Sequence, residues 1–272
     1  MDDFKLDIFL PLLRGNSPVD EGNSTAQQFL QNINSRTHAI VFSPHLDDAV
    51  LSTASLVSYL VEKNVKITFV TLFTEGKHIE SISVAKILKR SKFTHSEAYF
   101  KERRAEDIKA IKILGVTDIQ QLGYIDAAWR TGESGQALYP SMQVGEEIVE
   151  QDKKFHTEIV KNLQNSFAAD QNTLVFAPLA RGRHVDHVLT RNAVAAVFPQ
   201  TVFYEDFPYS VLFENEHDFI KEKGLTLVEW GGDFEKKKDA ILAYGTQHAS
   251  LSLFGKGKME LTFEKYYAPI AK

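Results

Sequence analysis

The chain has 272 residues, 43% of them hydrophobic and 25% charged, with 31 basic against 36 acidic side chains and a formal net charge of −5. This ordinary globular composition is long enough for one α/β domain with a sizeable core, and its mild acidity offers no field to attract a nucleic-acid backbone. The absence of cysteine excludes disulfides, thiolate metal sites and a cysteine nucleophile, so a metal has to be held by His, Asp or Glu.

The start, Met1-Asp2-Asp3-Phe4-Lys5, lacks the basic, apolar and small-residue regions of a secretory signal. No stretch approaches the roughly 20 apolar residues that span a bilayer. The expectation is a cytoplasmic protein with no membrane span, in which the sequon Asn23-Ser24-Thr25 is coincidental. Residues 1–36 are polar and broken by Gly15, Pro18 and Gly22; they read as a lead-in that packs on the domain of residues 37–272 without carrying its core. From Thr37 short apolar runs alternate with helix-period segments. Runs at 37–43, 66–73, 174–177, 201–204 and 225–230 look like strands buried on both faces. Helical periodicity marks 47–62, 96–114, 152–167, 186–197, 211–223 and 234–244, with Gly115 as C-cap of the second. The alternation predicts an α/β fold: a Rossmann-like, mostly parallel sheet with helices on both faces, in a single domain. Residues 127–145, with three glycines and a proline, read as a long loop of the kind that carries function.

Ligands of an open α/β sheet bind beyond the carboxyl ends of its strands. The first strand leads into Ser43-Pro44-His45-Leu46-Asp47-Asp48-Ala49, and the run at 174–177 leads through Pro178 and Arg181 to His184-Val185-Asp186-His187. Each cluster has a plain structural reading by itself: Asp47 or Asp48 would serve as a helix N-cap, and a lone histidine near a strand end is usually a satisfied surface residue. Together, three acidic side chains and three histidines at one sheet edge need a cation or a hydrogen-bond network to compensate them. Two histidines and a carboxylate with an open position for water make a common catalytic zinc site, and the same donors accept iron, so the expected cofactor is Zn2+ or Fe2+. His184 and His187, three apart at a helix start, face one side, His187 toward metal and His184 toward substrate. Of the adjacent pair Asp47 and Asp48, one can ligate while the other accepts a proton from water.

Pro44-His45-Leu46-Asp47-Asp48 and His184-Val185-Asp186-His187 resemble the PIG-L/LmbE-like family of zinc de-N-acetylases, whose patterns read His-Pro-Asp-Asp-Glu and His-Pro-Asp-His. The resemblance runs over roughly residues 37 to 250. Arg103-x-x-Glu106 with Leu114-Gly115, Leu122-Gly123-Tyr124-Ile125-Asp126, Tyr204-Glu205-Asp206-Phe207-Pro208-Tyr209 and Tyr244-x-x-Gln247 follow in the family's order. The resemblance implies an LmbE-like fold and a deacetylase that frees the amine of an N-acyl amino sugar or glycoconjugate. It implies His45, Asp48 and His187 as zinc ligands, Asp47 as general base, and His184 as stabiliser of the tetrahedral intermediate or proton donor. Arg103 and Asp126 match positions lining the family's sugar site. Leu46, Ala49 and Val185 depart from the pattern at positions with no assigned role. Gly182 departs where some relatives carry a tyrosine that assists proton transfer, a role either absent here or filled from elsewhere, with Tyr124 and Tyr204 as the candidates.

Arg130, four residues past Asp126, and Arg181 are further candidates to touch substrate, and Tyr204 joins them. Arg181 and Arg183 have the alternative of pairing with Glu205 and Asp206. The aromatic tail of Phe254, Phe263, Tyr266 and Tyr267 closes the core or a homo-oligomer interface. Competing readings are an amidase on a thiol-sugar or antibiotic conjugate and a catalytically silent binding protein of the same fold. A nucleotide-binding Rossmann protein lacks its Gly-x-Gly-x-x-Gly here, and a serine hydrolase its Gly-x-Ser-x-Gly.

Overall fold

The computed structural model describes Phe29, Gln31, Ile33 and residues 36–140, 147–232, 234–248 and 263–269. In chain order the strands are β1 (His38–Ser43), β2 (Lys66–Glu75), β3 (Asp118–Ile125), β4 (Thr173–Pro178), β5 (Val202–Tyr204), β6 (Thr226–Trp230) and β7 (Glu264–Ala268). The helices are α1 (Asp48–Glu62), α2 (Ile82–Arg90), α3 (Ser96–Ile113), α4 (Glu150–Ser166), α5 (Val185–Val197), α6 (His217–Lys223) and α7 (Phe234–Leu242). Among the described residues the strands form one sheet in the order β3-β2-β1-β4-β5-β7-β6. β1 pairs in parallel with β2 and β4, and β2–β3 and β4–β5 are parallel too; only β7 runs against its neighbours β5 and β6. The expected mostly parallel sheet is therefore observed.

Side chains alternate across a strand, and the alternation of β1 sorts the core into two layers. Ala39 and Val41 join α1, α3 and α7 residues such as Val50, Leu56, Ile111 and Ala240 on one face. Ile40 and Phe42 join Ile159, Leu163, Leu189 and Val194 of α4 and α5 on the other. Both faces being covered, the central strands read as unbroken apolar runs, which is why the sequence exposes them.

The elements missed from sequence lack that signature. β3, Asp-Ile-Gln-Gln-Leu-Gly-Tyr-Ile, is a half-buried edge strand with no apolar run. α2 buries only Val84 and Leu88. The helix expected over 211–223 starts late: a 3₁₀ turn at Tyr209–Val211 comes first, and the Arg181 Nε–H donates to the Phe213 carbonyl at 2.6 Å. The lead-in also needs correction, because Phe29 and Ile33, 0% and 1% exposed, lie inside the first core layer, with the Phe29 ring stacked on Tyr266. Tyr266 and Tyr267 close the core as β7 residues, Phe263 is exposed, and Phe254 lies outside the described residues. No helix among the described residues is long and apolar enough to cross a membrane.

The chain leaves β1 toward β2 and β3 on one side and returns to β4 and β5 on the other. That reversal opens a crevice at the carboxyl ends of β1 and β4, and both His/Asp clusters fall into it.

Candidate active site and metal centre

The end of β1 passes directly into α1 through His45, Leu46 and Asp47. Asp47 holds the N-cap position, yet its side chain makes no capping bond. The N-cap reading thus fails for Asp47, whose carboxylate meets the Arg103 guanidinium at 3.3 Å instead. Asp48 turns its Oδ2 back to accept from the His45 backbone N–H at 2.9 Å. The same oxygen lies 3.0 Å from His45 Nδ1 and 3.2 Å from His187 Nε2.

The second cluster sits on a strained loop. Ala180, Gly182 and Arg183 all have positive φ, at 64°, 81° and 52°, a conformation that costs a non-glycine residue about 1–2 kcal/mol. Contacts with the turn after β5 hold it. The Arg181 backbone N–H donates to Asp206 Oδ2 at 2.9 Å, and its guanidinium reaches Glu205 Oε1 at 2.5 Å. Arg181 thus takes the pairing role that the sequence left open to it, as a clamp on this loop. The loop delivers His184 to the N-cap of α5, where its Nδ1 accepts the Asp186 backbone N–H at 3.2 Å. An accepting Nδ1 places the proton of a neutral ring on Nε2. Burial, with His45 and His187 alongside, holds the His184 pKa well below its ordinary value, so the ring is a neutral Nε2–H donor.

The far nitrogens of the other two imidazoles are fixed by carboxylates. His45 Nε2 lies 3.0 Å from Asp186 Oδ2, and His187 Nδ1 lies 2.6 Å from Asp206 Oδ1. A neutral imidazole has one N–H. If it serves the outer carboxylate, the inner nitrogen turns a lone pair toward Asp48 Oδ2, which is repulsive unless positive charge lies between. His187 shows this: fully buried, its Nε2 faces Asp48 Oδ2 at 3.2 Å without a well-aligned hydrogen bond. Without a cation the rings keep their protons. Burial lowers the pKa of His187, but Asp48 and Asp206 outweigh it and raise it to about 9. Burial likewise lowers His45, and its bonds to Asp186 and Asp48 carry it well above its ordinary value. Burial pushes Asp47 up to about 6, against the pull of Arg103.

These atoms suit a divalent metal. Tetrahedral zinc with ligand distances near 2.1 Å has donor atoms about 3.4 Å apart, close to the 3.0 and 3.2 Å observed around Asp48 Oδ2. Among the described residues, two groupings bring one ligand atom per residue within 4.8 Å of one another, His45/His184/His187 and His45/Asp126/Asp186, and Asp48 Oδ2 lies against two imidazoles of the first. The second is the poorer place for a cation, since Asp186 already receives the Arg130 guanidinium at 2.6 Å and the Ala127 backbone N–H at 2.8 Å.

The remaining expected substrate residues divide. Arg103 and Asp126 reach the site: Arg103 meets Asp47, and Asp126 Oδ2 stands 3.7 Å from His45 Nε2 while its Oδ1 caps the 3₁₀ turn Ala127–Trp129. Arg130 instead points inward to Asp186 and Asp152, packed against Phe73, Tyr139 and Phe155. Tyr204 is fully buried and its hydroxyl donates to the Phe42 carbonyl at 2.9 Å. Both are committed to the interior, a correction to their expected substrate contact. Asp206 was expected only as an arginine partner; its place just past a parallel strand was the signal available.

A family model described as GlcNAc-PI de-N-acetylase, PIG-L, matches residues 40–198, more than half of the chain. The chain belongs to the PIG-L family. Among relatives of this PIG-L chain, the 2'-N-acetylparomamine deacetylase of Streptomyces fradiae is 27% identical over 222 residues, covering 78% of this chain and 74% of the relative. The probable N-acetyl-alpha-D-glucosaminyl L-malate deacetylase 2 of Bacillus anthracis is 24% identical, covering 78% and 82%. The crystal structure of a zinc-inhibited form of teicoplanin deacetylase superimposes with a TM-score of 0.70 at 20% identity, over 85% of this chain and 97% of that one. An A40926 pseudoaglycone deacetylase gives 0.65 at 22%, over 87% and 100%. At that identity the solved structures speak to the fold alone. The expected enzyme class, a hydrolase of linear amide bonds, agrees with the PIG-L membership and with relatives named as deacetylases.

Proposed function

We propose that this chain is a cytoplasmic zinc-dependent deacetylase that removes the acetyl group from an amino sugar, free or within an aminoglycoside or other conjugate. The observation that supports it most is the convergence of His45 Nδ1 and His187 Nε2 on Asp48 Oδ2, beside the uncapped Asp47 carboxylate. His45, Asp48 and His187 would hold the ion. A bound zinc supplies a polarised amide carbonyl and a water whose pKa falls to about 7.

The chain's own residues supply the rest. Asp47, held by Arg103, receives the proton of the attacking water. His184, neutral and carrying its proton on Nε2, donates toward the tetrahedral carbon's substituents. Asp186 and Asp206 keep the two ligand imidazoles in register. The near-complete burial of these side chains keeps bulk water from the charges that develop. Acetate and a free amine are the products. Relatives named for N-acetylparomamine and an N-acetylglucosaminyl malate support an N-acetyl amino sugar as the substrate class.

The test is metal content and amine release together, on wild type and Asp47→Ala, across N-acetylglucosamine conjugates and N-acetylated aminoglycosides. About one ion per chain is expected in both proteins, with turnover falling ~100- to 10,000-fold in the variant. A folded protein that takes up no zinc or iron refutes the proposal.

A further inference from the structure

The turn that follows β5 does more than position His187. Asp206 holds the His187 Nδ1 at 2.6 Å, and three residues later the Tyr209 ring lies across the same imidazole, 5.1 Å between centroids at 72°. His187 is fully buried while Tyr209 is only partly so. Tyr209 thus stands between a candidate metal ligand and solvent, on the wall of the site.

Gly182 explains why that wall comes from this turn. At φ 81°, a Cβ there would lie 2.8 Å from Phe213 Cδ2 and 3.1 Å from Tyr209 Cδ1. Tyr209 and Phe213 fill the space that a side chain at position 182 would need, so the loop before His184 cannot supply an aromatic of its own. The two tyrosines that are candidates to compensate are engaged elsewhere. The Tyr124 hydroxyl accepts from Asn162 Nδ2 at 2.6 Å, and that of Tyr204 donates to the Phe42 carbonyl. Tyr209 lies outside the matched stretch of residues 40–198, so the family match does not reach it.

Resting on the reading of this site as an amide-cleaving centre, we infer that Tyr209 is a further catalytic residue: its hydroxyl donates a hydrogen bond to the carbonyl oxygen as the amide carbon becomes tetrahedral. Such a donor acts where charge develops and is most effective when it need not reorganise. The ring is held by Phe213 and His187. The phenol faces the carboxylates of Asp48, Asp47, Asp206 and Asp126. The arrangement also explains why one turn carries both Asp206 and Tyr209. The residue that orients the imidazole and the residue that faces the developing charge then move as one unit.

The test compares Tyr209→Phe with wild type, both zinc-loaded full chains, by calorimetric titration with methylphosphonate, a tetrahedral mimic, and with acetate, a planar one. Wild type is expected to bind methylphosphonate. The variant should lose about tenfold in that affinity, the worth of one hydrogen bond to a charged acceptor, while acetate affinity and metal content stay within twofold. In turnover the variant should lose about 100-fold in kcat with little change in KM. Tyr124→Phe and Tyr204→Phe should leave the methylphosphonate preference intact. Equal binding of methylphosphonate by wild type and Tyr209→Phe overturns the inference, as does a wild type that binds none, or a parallel loss for acetate. If wild type releases no amine from any substrate yet the phosphonate preference depends on Tyr209, the deacetylase reading fails while the donor assignment stands. If wild type turns over and Tyr209→Phe matches it, the donor assignment alone fails.

Discussion

Two buried ionic clusters in this protein are built from the same side-chain chemistry and behave in opposite ways. Glu264, on β7, is saturated. One carboxylate oxygen accepts from the Ser55 backbone N–H and from Lys237 Nζ, both at 2.9 Å. The other accepts from the Leu56 backbone N–H and the Tyr266 hydroxyl. The cluster at the β1 and β4 ends is under-compensated. Asp47, Asp48, Asp126, Asp186 and Asp206 crowd two histidines, while Arg103 and Arg130 are the guanidinium side chains within reach of its carboxylates. The unmet need appears as the poorly aligned His187 Nε2 and as imidazoles that retain protons. A buried charge cluster that closes on itself ties elements together. One that closes only when a cation enters is a site.

The contrast can be broken most severely at Asp48. Asp48→Asn should abolish tight metal binding and reduce turnover below that of Asp47→Ala, because it removes the oxygen on which both imidazoles converge. Elemental analysis after dialysis, paired with amine release, checks it; a variant that keeps its metal contradicts the assignment. The saturated cluster should respond differently. Glu264→Gln leaves Lys237 buried without its counter-charge, so unfolding free energy should drop by about 3 kcal/mol while metal content per folded chain is unchanged. Denaturant melts with and without zinc read this directly, and a coupled loss of metal would erase the distinction between the clusters.

A milder change sharpens the comparison from inside the site. Asp206→Asn should weaken zinc affinity ~10- to 100-fold, as losses of outer carboxylates do, with a competitive chelator titration as the measurement. An unchanged affinity would mean that Asp206 serves only the Arg181 loop. The smallest effect belongs to Tyr204→Phe. Removing its bond to Phe42 should cost about 1 kcal/mol of stability and leave kcat and KM alone; a kinetic defect would return Tyr204 to the substrate pocket.

Much of this was legible in the sequence, for a local reason. Strands covered on both faces announce themselves as apolar runs, so β1, β2 and β4 are visible and the half-buried β3 is not. The His45–Asp48 contact spans three residues, so the chain fixes it wherever a strand turns into a helix. The rule that ligands gather past carboxyl ends of strands pairs that cluster with His184 and His187 without any coordinates.

What the sequence could not decide depends on which surfaces pack together. Arg130 lies four residues past Asp126, and spacing leaves it equally free to face the pocket or the interior. The outcome follows from Asp186 and Asp152 arriving from α5 and α4 to meet it. The hold of Asp186 on His45 joins residues 141 apart, and that of Asp206 on His187 joins different elements. Position 182 reads as a simple loss of a tyrosine until Tyr209 and Phe213 are found filling its space. The identity and order of the donors were written in the chain, because they are properties of short segments. Which nitrogen faces inward, which carboxylate is already neutralised and which aromatic covers the site were settled only by tertiary packing, because each is set by a neighbour that sequence separation does not constrain.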